Sequence, residues 1–311
     1  MGALLEITLP VFLVISFGWA ARWRNWFSDD AIDTLMRFSQ NFAIPLLLFR
    51  AISTLDLGQG YDPRLLASYY TGSLAGFLAG MLGARFLFGR DWQDSVAIGF
   101  AALFANTVLL GLPITERAFG PGALAPNYAI VSIHAPFCYV LGITTMEAVR
   151  NRGHGLGVSL LGVVRSILSN PLVLAIIAGF VVNLTGLPLP SPLTHAFDLV
   201  IRAALPTALF ALGGILYRYR PEGDWREVAW VISISLMLHP LIAYTLSSRV
   251  FDLPEGMIRS ATLTAAMAPG VNAYIFANMY GRARRVAATA VLAGTAASIL
   301  SVTFWLTVLG A

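Results

Sequence analysis

Two short clusters, each in the middle of an apolar stretch, hold the residues of this chain best suited to chemistry. The first runs Asn106-Thr107 and continues to Gly111 and Pro113; the second runs Pro269-Gly270 and continues to Asn272. Proline removes a backbone donor and clashes with the preceding turn. An amide in an apolar setting is costly unless it is hydrogen-bonded. The chemistry on offer is non-covalent: neutral amide and hydroxyl donors, beside backbone that the proline opens, can hold a small polar solute. Asn41, just before Pro45, is a third candidate of the same kind, and Gly111, Pro113, Pro269 and Gly270 are the hinge candidates. His134 could relay protons or simply pack through a hydrogen bond, and His239 has the same two readings. Bond-making chemistry has little to draw on. The sequence has no HExxH motif, no paired carboxylates inside an apolar stretch and no lysine for a Ser/Lys dyad. The single cysteine, Cys138, excludes an internal disulfide and a cysteine-based metal site.

The elements that must position these groups follow from composition. The 311 residues are 57% hydrophobic and only 12% charged, with mean hydropathy +0.74. Soluble domains average about 45–50% apolar and about 25% charged. A water-soluble enzyme, a disordered chain and a nucleic-acid-binding protein are therefore excluded, and the bilayer becomes the expected surrounding. The apolar runs are long and unbroken by alternation, so helices and not a β-barrel are expected. Spans are predicted near 4–21, 31–52, 65–88, 93–119, 123–148, 166–185, 193–217, 228–250, 256–280 and 285–309. The first is read as a span and not a signal peptide, because Glu6 stands where a basic region would be required. One set of loops carries Arg22, Arg24, Arg85, Arg90, Arg150, Arg152, Arg165, Arg218, Arg220, Arg226, Arg282, Arg284 and Arg285, whereas the other carries only Arg64 and Arg249. The positive-inside rule makes the first set cytoplasmic and places both termini outside the inner (plasma) membrane.

The fourth and ninth spans hold the same place in two five-helix halves, 1–155 and 156–311. Five is odd, so the second half is inverted relative to the first. Irregular helices at matching positions of two halves point to a transporter binding site. Smaller echoes support the repeat: Asn41 to Phe49 with Pro45 in the second span, and Ala203 to Phe210 with Pro206 in the seventh. Gly72, Gly76 and Gly80, and likewise Ala290, Gly294 and Ser298, are spaced to let a neighbouring helix approach closely. Asp198 and Arg202, four apart, are expected to neutralise each other.

The stretches Asn41 to Arg50, Ala105 to Gly120, Asn170 to Pro190, Leu205 to Leu216 and Pro269 to Gly281 together resemble the auxin efflux carrier family, which includes malonate carriers and is related to plant auxin exporters. The resemblance implies an all-α polytopic membrane protein of ten helices in two inverted repeats, with helices four and nine broken and crossing. It implies a scaffold of helices 1, 2, 6 and 7 and a moving transport domain of helices 3–5 and 8–10. It also implies small organic anions as substrates, and a homodimer is in keeping with it. Some bacterial members carry a lysine shortly before the proline of the eighth span; Ser235 lies in that region here, so that cationic anchor is absent.

An anion at the midplane needs compensation without a permanently unpaired buried arginine. The N-termini of broken half-helices supply it, with Asn106, Thr107, Asn272 and Asn41 as the expected substrate contacts. The reading is a secondary carrier for small carboxylates working by alternating access. The alternatives are a channel or a substrate sensor on the same fold, and after them an intramembrane enzyme. No cofactor, metal or nucleic-acid partner is expected; coupling to protons or sodium is left open.

Overall fold

The structure, a computed structural model, describes residues 2–150, 170–221 and 224–311. Arg152 and Arg165, and the predicted start of the sixth span, lie outside the described residues. The helices, in order, are α1 Gly2–Trp23, α2 (29–53), α3 Pro63–Phe86, α4 (92–119), α5 Pro121–Arg150, α6 Pro171–Thr185, α7 Ser191–Arg218, α8 Trp225–Val250, α9 (255–280) and α10 Arg284–Val308. Among the described residues there is no β-strand. Five of these helices, α3, α5, α7, α8 and α10, are long and apolar enough to cross a membrane, and α6 is a shorter apolar helix. Rows of large apolar side chains stay exposed at helical spacing, as in Leu74, Leu78 and Leu82 on α3 and Leu174, Ile177 and Val181 on α6. Such rows suit a lipid-facing surface.

Helix ends follow local rules. Ser28 caps α2 by accepting from the Ala31 N–H, and Asp62 caps α3 by accepting from the Arg64 N–H. Asn170 caps α6 in the same way, with Pro171 at the first helical position, where its missing N–H costs nothing. Three interior prolines share one solution. Pro45, Pro113 and Pro240 each lie two residues beyond a π-helical turn, at Ser39–Ala43, Thr107–Gly111 and Ile234–Leu238. The extra residue of a π-turn relieves the lost hydrogen bond and the ring clash without a sharp break. At Pro240 the carbonyl of Leu236 is taken by Ser301 Oγ at 3.0 Å and Trp305 Nε1 at 3.0 Å, both from α10.

Two packing groups stand out. In one, α7 lies against α1 and α2, and α6 lies against α2; in the other, α3 packs on α4 and α8, while α10 packs on α8 and α9. Close approach depends on small residues. A Cβ on Gly213 would fall 1.8 Å from the Ile15 carbonyl oxygen, and one on Gly18 would fall 1.8 Å from that of Phe210. The reciprocal pair sets the α1–α7 contact. The Gly72, Gly76 and Gly80 face receives His239, Ile234 and Ala102 respectively, and Gly294 backs onto Pro269.

The arginine-rich loop ends meet their counter-ions across helices. Arg22 pairs with Asp29, Arg218 with Asp33, Arg90 with Asp224 and Glu227, and Arg282 with Asp91. The expected Asp198–Arg202 pair does not form. Asp198 faces Arg50 of α2 at 3.7 Å instead, because the neighbouring helix offers a guanidinium across the groove.

Candidate functional site

Helix α4 stops at Leu103, resumes as the π-turn Thr107–Gly111, and then continues through Leu112–Phe119. Helix α9 stops at Ala265 and resumes at Val271–Tyr280. The unwound pieces lie side by side. The Asn106 N–H donates to the Ala268 carbonyl at 2.8 Å and the Gly270 N–H donates to the Phe104 carbonyl at 2.8 Å, a single antiparallel bridge centred on Ala105 and Pro269. Each broken backbone thus satisfies the other, which is the condition for non-helical chain at membrane depth. Next to the bridge, the rings of Phe100 and Phe276 stack 3.9 Å apart.

The sequence placed the fourth-span hinge at Gly111 and Pro113. The unwound residues are 104–106 instead; Gly111 closes the π-turn and Pro113 sits in the first turn of the following helix, where a missing N–H is tolerated. Pro269 and Gly270 do lie in the break of α9.

A cavity of about 70 Å³ opens beside the bridge. Asn106, Thr107, Asn272 and His134 all line it, together with Gln40 of α2 and apolar residues of α2, α5 and α6. Asn41 does not: it is exposed, and its neighbour Gln40 takes the inward position. Asn106 is 6% exposed. Its Oδ1 accepts from the Leu109 N–H at 3.2 Å and caps the second half of α4, while its Nδ2 is buried with no partner. The Asn272 Oδ1 accepts from the Tyr139 hydroxyl at 3.4 Å. The second half of α9 opens at Gly270 with no side-chain cap, and the N–H groups of Val271 and Asn272, two residues that line the cavity, take no partner among the described residues.

His134 holds the break in place. Its Nε2 lies 3.1 Å from the Ala105 carbonyl oxygen, and the carbonyl can only accept, so Nε2 carries the proton. Its Nδ1 lies 3.4 Å from the Tyr69 hydroxyl. His239 makes the equivalent contact one helix away, with Nε2 3.2 Å from the Tyr69 carbonyl oxygen and 3.2 Å from Ser73 Oγ. Sequence reasoning did not find Tyr69, which lies between the two rings with centroids 5.7 and 4.8 Å away. An aromatic in an apolar run carries no signal of its own. No group of three or more metal-ligating side chains occurs among the described residues. Ser235 donates to the Ala102 carbonyl at 3.3 Å and serves packing.

Two broken helices thus meet at unwound backbone beside a small, mostly apolar cavity that holds five polar side chains. The chain belongs to the membrane transport protein family, whose profile matches residues 3–306, the auxin efflux carriers among them. One relative is a Rhizobium meliloti protein named "Putative malonate transporter", 24% identical over 97% of this chain and 95% of its own length. An Escherichia coli K12 protein named "Uncharacterized transporter YfdV" is 22% identical over 96% of this chain and 95% of its own. Auxin efflux carrier component 3a of Oryza sativa is 29% identical over 47% of this chain and 24% of its own.

Proposed function

We propose that the chain is a secondary carrier for small carboxylates, working by alternating access, with the substrate carboxylate held in the cavity at the α4/α9 bridge. The observation that carries this reading is the Asn106 amide. A buried donor without a partner costs about 1–3 kcal/mol, yet here one faces a cavity bounded by the N-termini of two half-helices. Such ends attract negative charge. Asn272 and Thr107 complete the donor set, and the hinges lie at Pro269–Gly270 and 104–106, with Gly111 and Pro113 at the start of the second half of α4. The malonate-named relative supports a carboxylate as the substrate class.

The wider reading is that the ten helices form two inverted repeats, 1–155 and 156–311, in the inner membrane with both termini outside. On this reading α1, α2, α6 and α7 are the fixed scaffold and the remaining six helices move as one. The two packing groups described above support that division. A homodimer is in keeping with the same family resemblance. His134 lines the cavity and is the group available to a coupling proton.

The test is uptake of radiolabelled malonate into proteoliposomes. Uptake that saturates, and that weakens with Asn106→Ala or Asn272→Ala in protein that stays folded, is the expected result. Flux that does not saturate indicates a channel, and unaltered uptake in both variants removes the site assignment.

A further inference from the structure

A second, larger cavity of about 940 Å³ lies between α1, α2, the second half of α4, the start of α5 and α7. It opens at the end of the bundle opposite Arg22 and Arg218. Arg50, Arg117 and Arg202 line it, with Asp56, Glu116 and Asp198. The formal charges balance, but their engagement does not. Arg117 donates to the carbonyls of Glu6 and Ile7 at 2.8 and 2.9 Å and is occupied. Asp56 accepts from the Gly58 N–H at 3.0 Å. Arg50 is different: its Nε is buried with no hydrogen-bond partner, and Asp198 stands off at 3.7 Å, beyond hydrogen-bond range. Arg202 makes no ion pair among the described residues, because Asp198 has turned to Arg50. Two guanidiniums on facing helices, Arg50 and Arg202, therefore keep unused donors in one cavity, with Asp198 only loosely held and Glu116 without an ion pair among the described residues.

The two cavities are stacked along α2. Arg50 and Leu47 line the large one, while Gln40, Ile44 and Leu48 line the small one. On α4, Leu112 lines the large cavity and Leu109 the small one. At 1.5 Å per residue, Arg50 stands about 9 Å along α2 from Ile44. Leu47 and Leu112 are apolar residues of the large cavity's lining that neighbour Leu48 and, three residues away, Leu109 of the small one.

We infer that the large cavity is an entry vestibule in which Arg50 and Arg202 hold an incoming carboxylate before it passes Leu47 and Leu112 to the bridge. Asp198 is the competitor that keeps this hold weak enough for release. The inference rests on the carboxylate reading above for its ligand class, but its test does not require transport.

The experiment places one reporter cysteine in the vestibule, Thr54→Cys, in a Cys138→Ala background. Labelling rates are compared for an anionic and a cationic methanethiosulfonate of similar size. One unit charge at roughly 7 Å in water changes the local concentration of a monovalent ion about threefold. After screening in about 0.1 M salt, the anion-to-cation ratio should fall about threefold with Arg50→Gln or with Arg202→Gln. It should hold with Arg50→Lys, rise with Asp198→Asn, and grow as salt is lowered. Millimolar malonate should slow anionic labelling in the parent and lose that effect in the Arg50→Gln/Arg202→Gln double variant. Ratios equal across the parent and both glutamine variants overturn the proposal, as does an absence of malonate protection in the parent. Malonate uptake that ignores Asn106→Ala would remove the bridge site while leaving the labelling ratios in place, so the two failures are distinguishable.

Discussion

Asn106 carries two roles that a substitution series can separate. Its Oδ1 caps the Leu109 N–H at 3.2 Å, and its Nδ2 is buried without a partner. A side-chain cap contributes about 1 kcal/mol, and an unpaired buried donor costs about 1–3 kcal/mol. Asn106→Ala removes both, so the empty protein should be between about 0 and 2 kcal/mol more stable than the parent. Asn106→Ser keeps a cap and removes the amide donor, so it should be at least as stable. Uptake should move the other way. A hydrogen bond to a charged group is worth about 1.5–3 kcal/mol, so KM for malonate should rise roughly 10- to 150-fold in both variants. The assay pairs thermal unfolding of the detergent-purified protein with saturation curves in proteoliposomes. A serine variant with parental KM, beside an alanine variant that unfolds earlier and transports poorly, would show that the amide only caps the helix, and the argument from its free donor would be refuted.

Asn272→Ala should raise KM by a smaller factor, about 3- to 10-fold, since the residue is only partly buried and already receives the Tyr139 hydroxyl; Tyr139→Phe should leave KM within twofold in the same uptake assay. Gly213→Ala puts a methyl 1.8 Å from the Ile15 carbonyl; it should cost at least the roughly 1–3 kcal/mol of overpacking, read as a lower unfolding temperature with little change in KM of the folded fraction. His134→Gln keeps a donor for the Ala105 carbonyl and removes the titratable Nδ1, which faces the Tyr69 hydroxyl and the Cys138 thiol. If His134 carries the coupling proton, uptake by this variant loses the parent's pH dependence, and a pH profile matching the parent would exclude His134 as the coupling group.

Length and hydropathy made the helices legible: the predicted stretches fall within two or three residues of the helix ends wherever the structure describes them. The helix breaks were legible only in part. Pro269-Gly270 lies in the unwound backbone, but in α4 the unwound residues are Phe104, Ala105 and Asn106, a sequence with neither glycine nor proline. Pro113 misled because a π-turn just before a proline can absorb it, and nothing local separates that outcome from a break. The same device explains Asn41. It lies inside the π-turn Ser39–Ala43, whose extra residue shifts the helical phase, so that Gln40 faces inward and Asn41 outward. The Asp198–Arg202 expectation failed for a different reason: a pair read along one helix ignores a guanidinium on the next. The bridge between Ala105 and Pro269 joins residues far apart in the chain through backbone atoms alone, and side-chain types do not encode it.

The distribution of backbone partners at that bridge argues for the sign of the substrate and against sodium at the same place. The carbonyls of Phe104 and Ala268 accept from Gly270 and Asn106; that of Ala105 accepts from Thr107 and faces His134 Nε2; that of Asn106 accepts from Leu110 and Gly111. All four of these carbonyls are engaged. The free donors beside them are the Asn106 amide and the Val271 and Asn272 N–H groups that open the second half of α9. Unwound carbonyls coordinate sodium in carriers that use it, and here each of these four would have to surrender a hydrogen bond to do so. Replacing sodium by choline on both sides of the proteoliposome should therefore leave malonate KM and maximal rate within twofold of their values in sodium. A rise in KM of tenfold or more in choline would mean that the bridge opens to admit a cation, and the donor-surplus argument would fail with it.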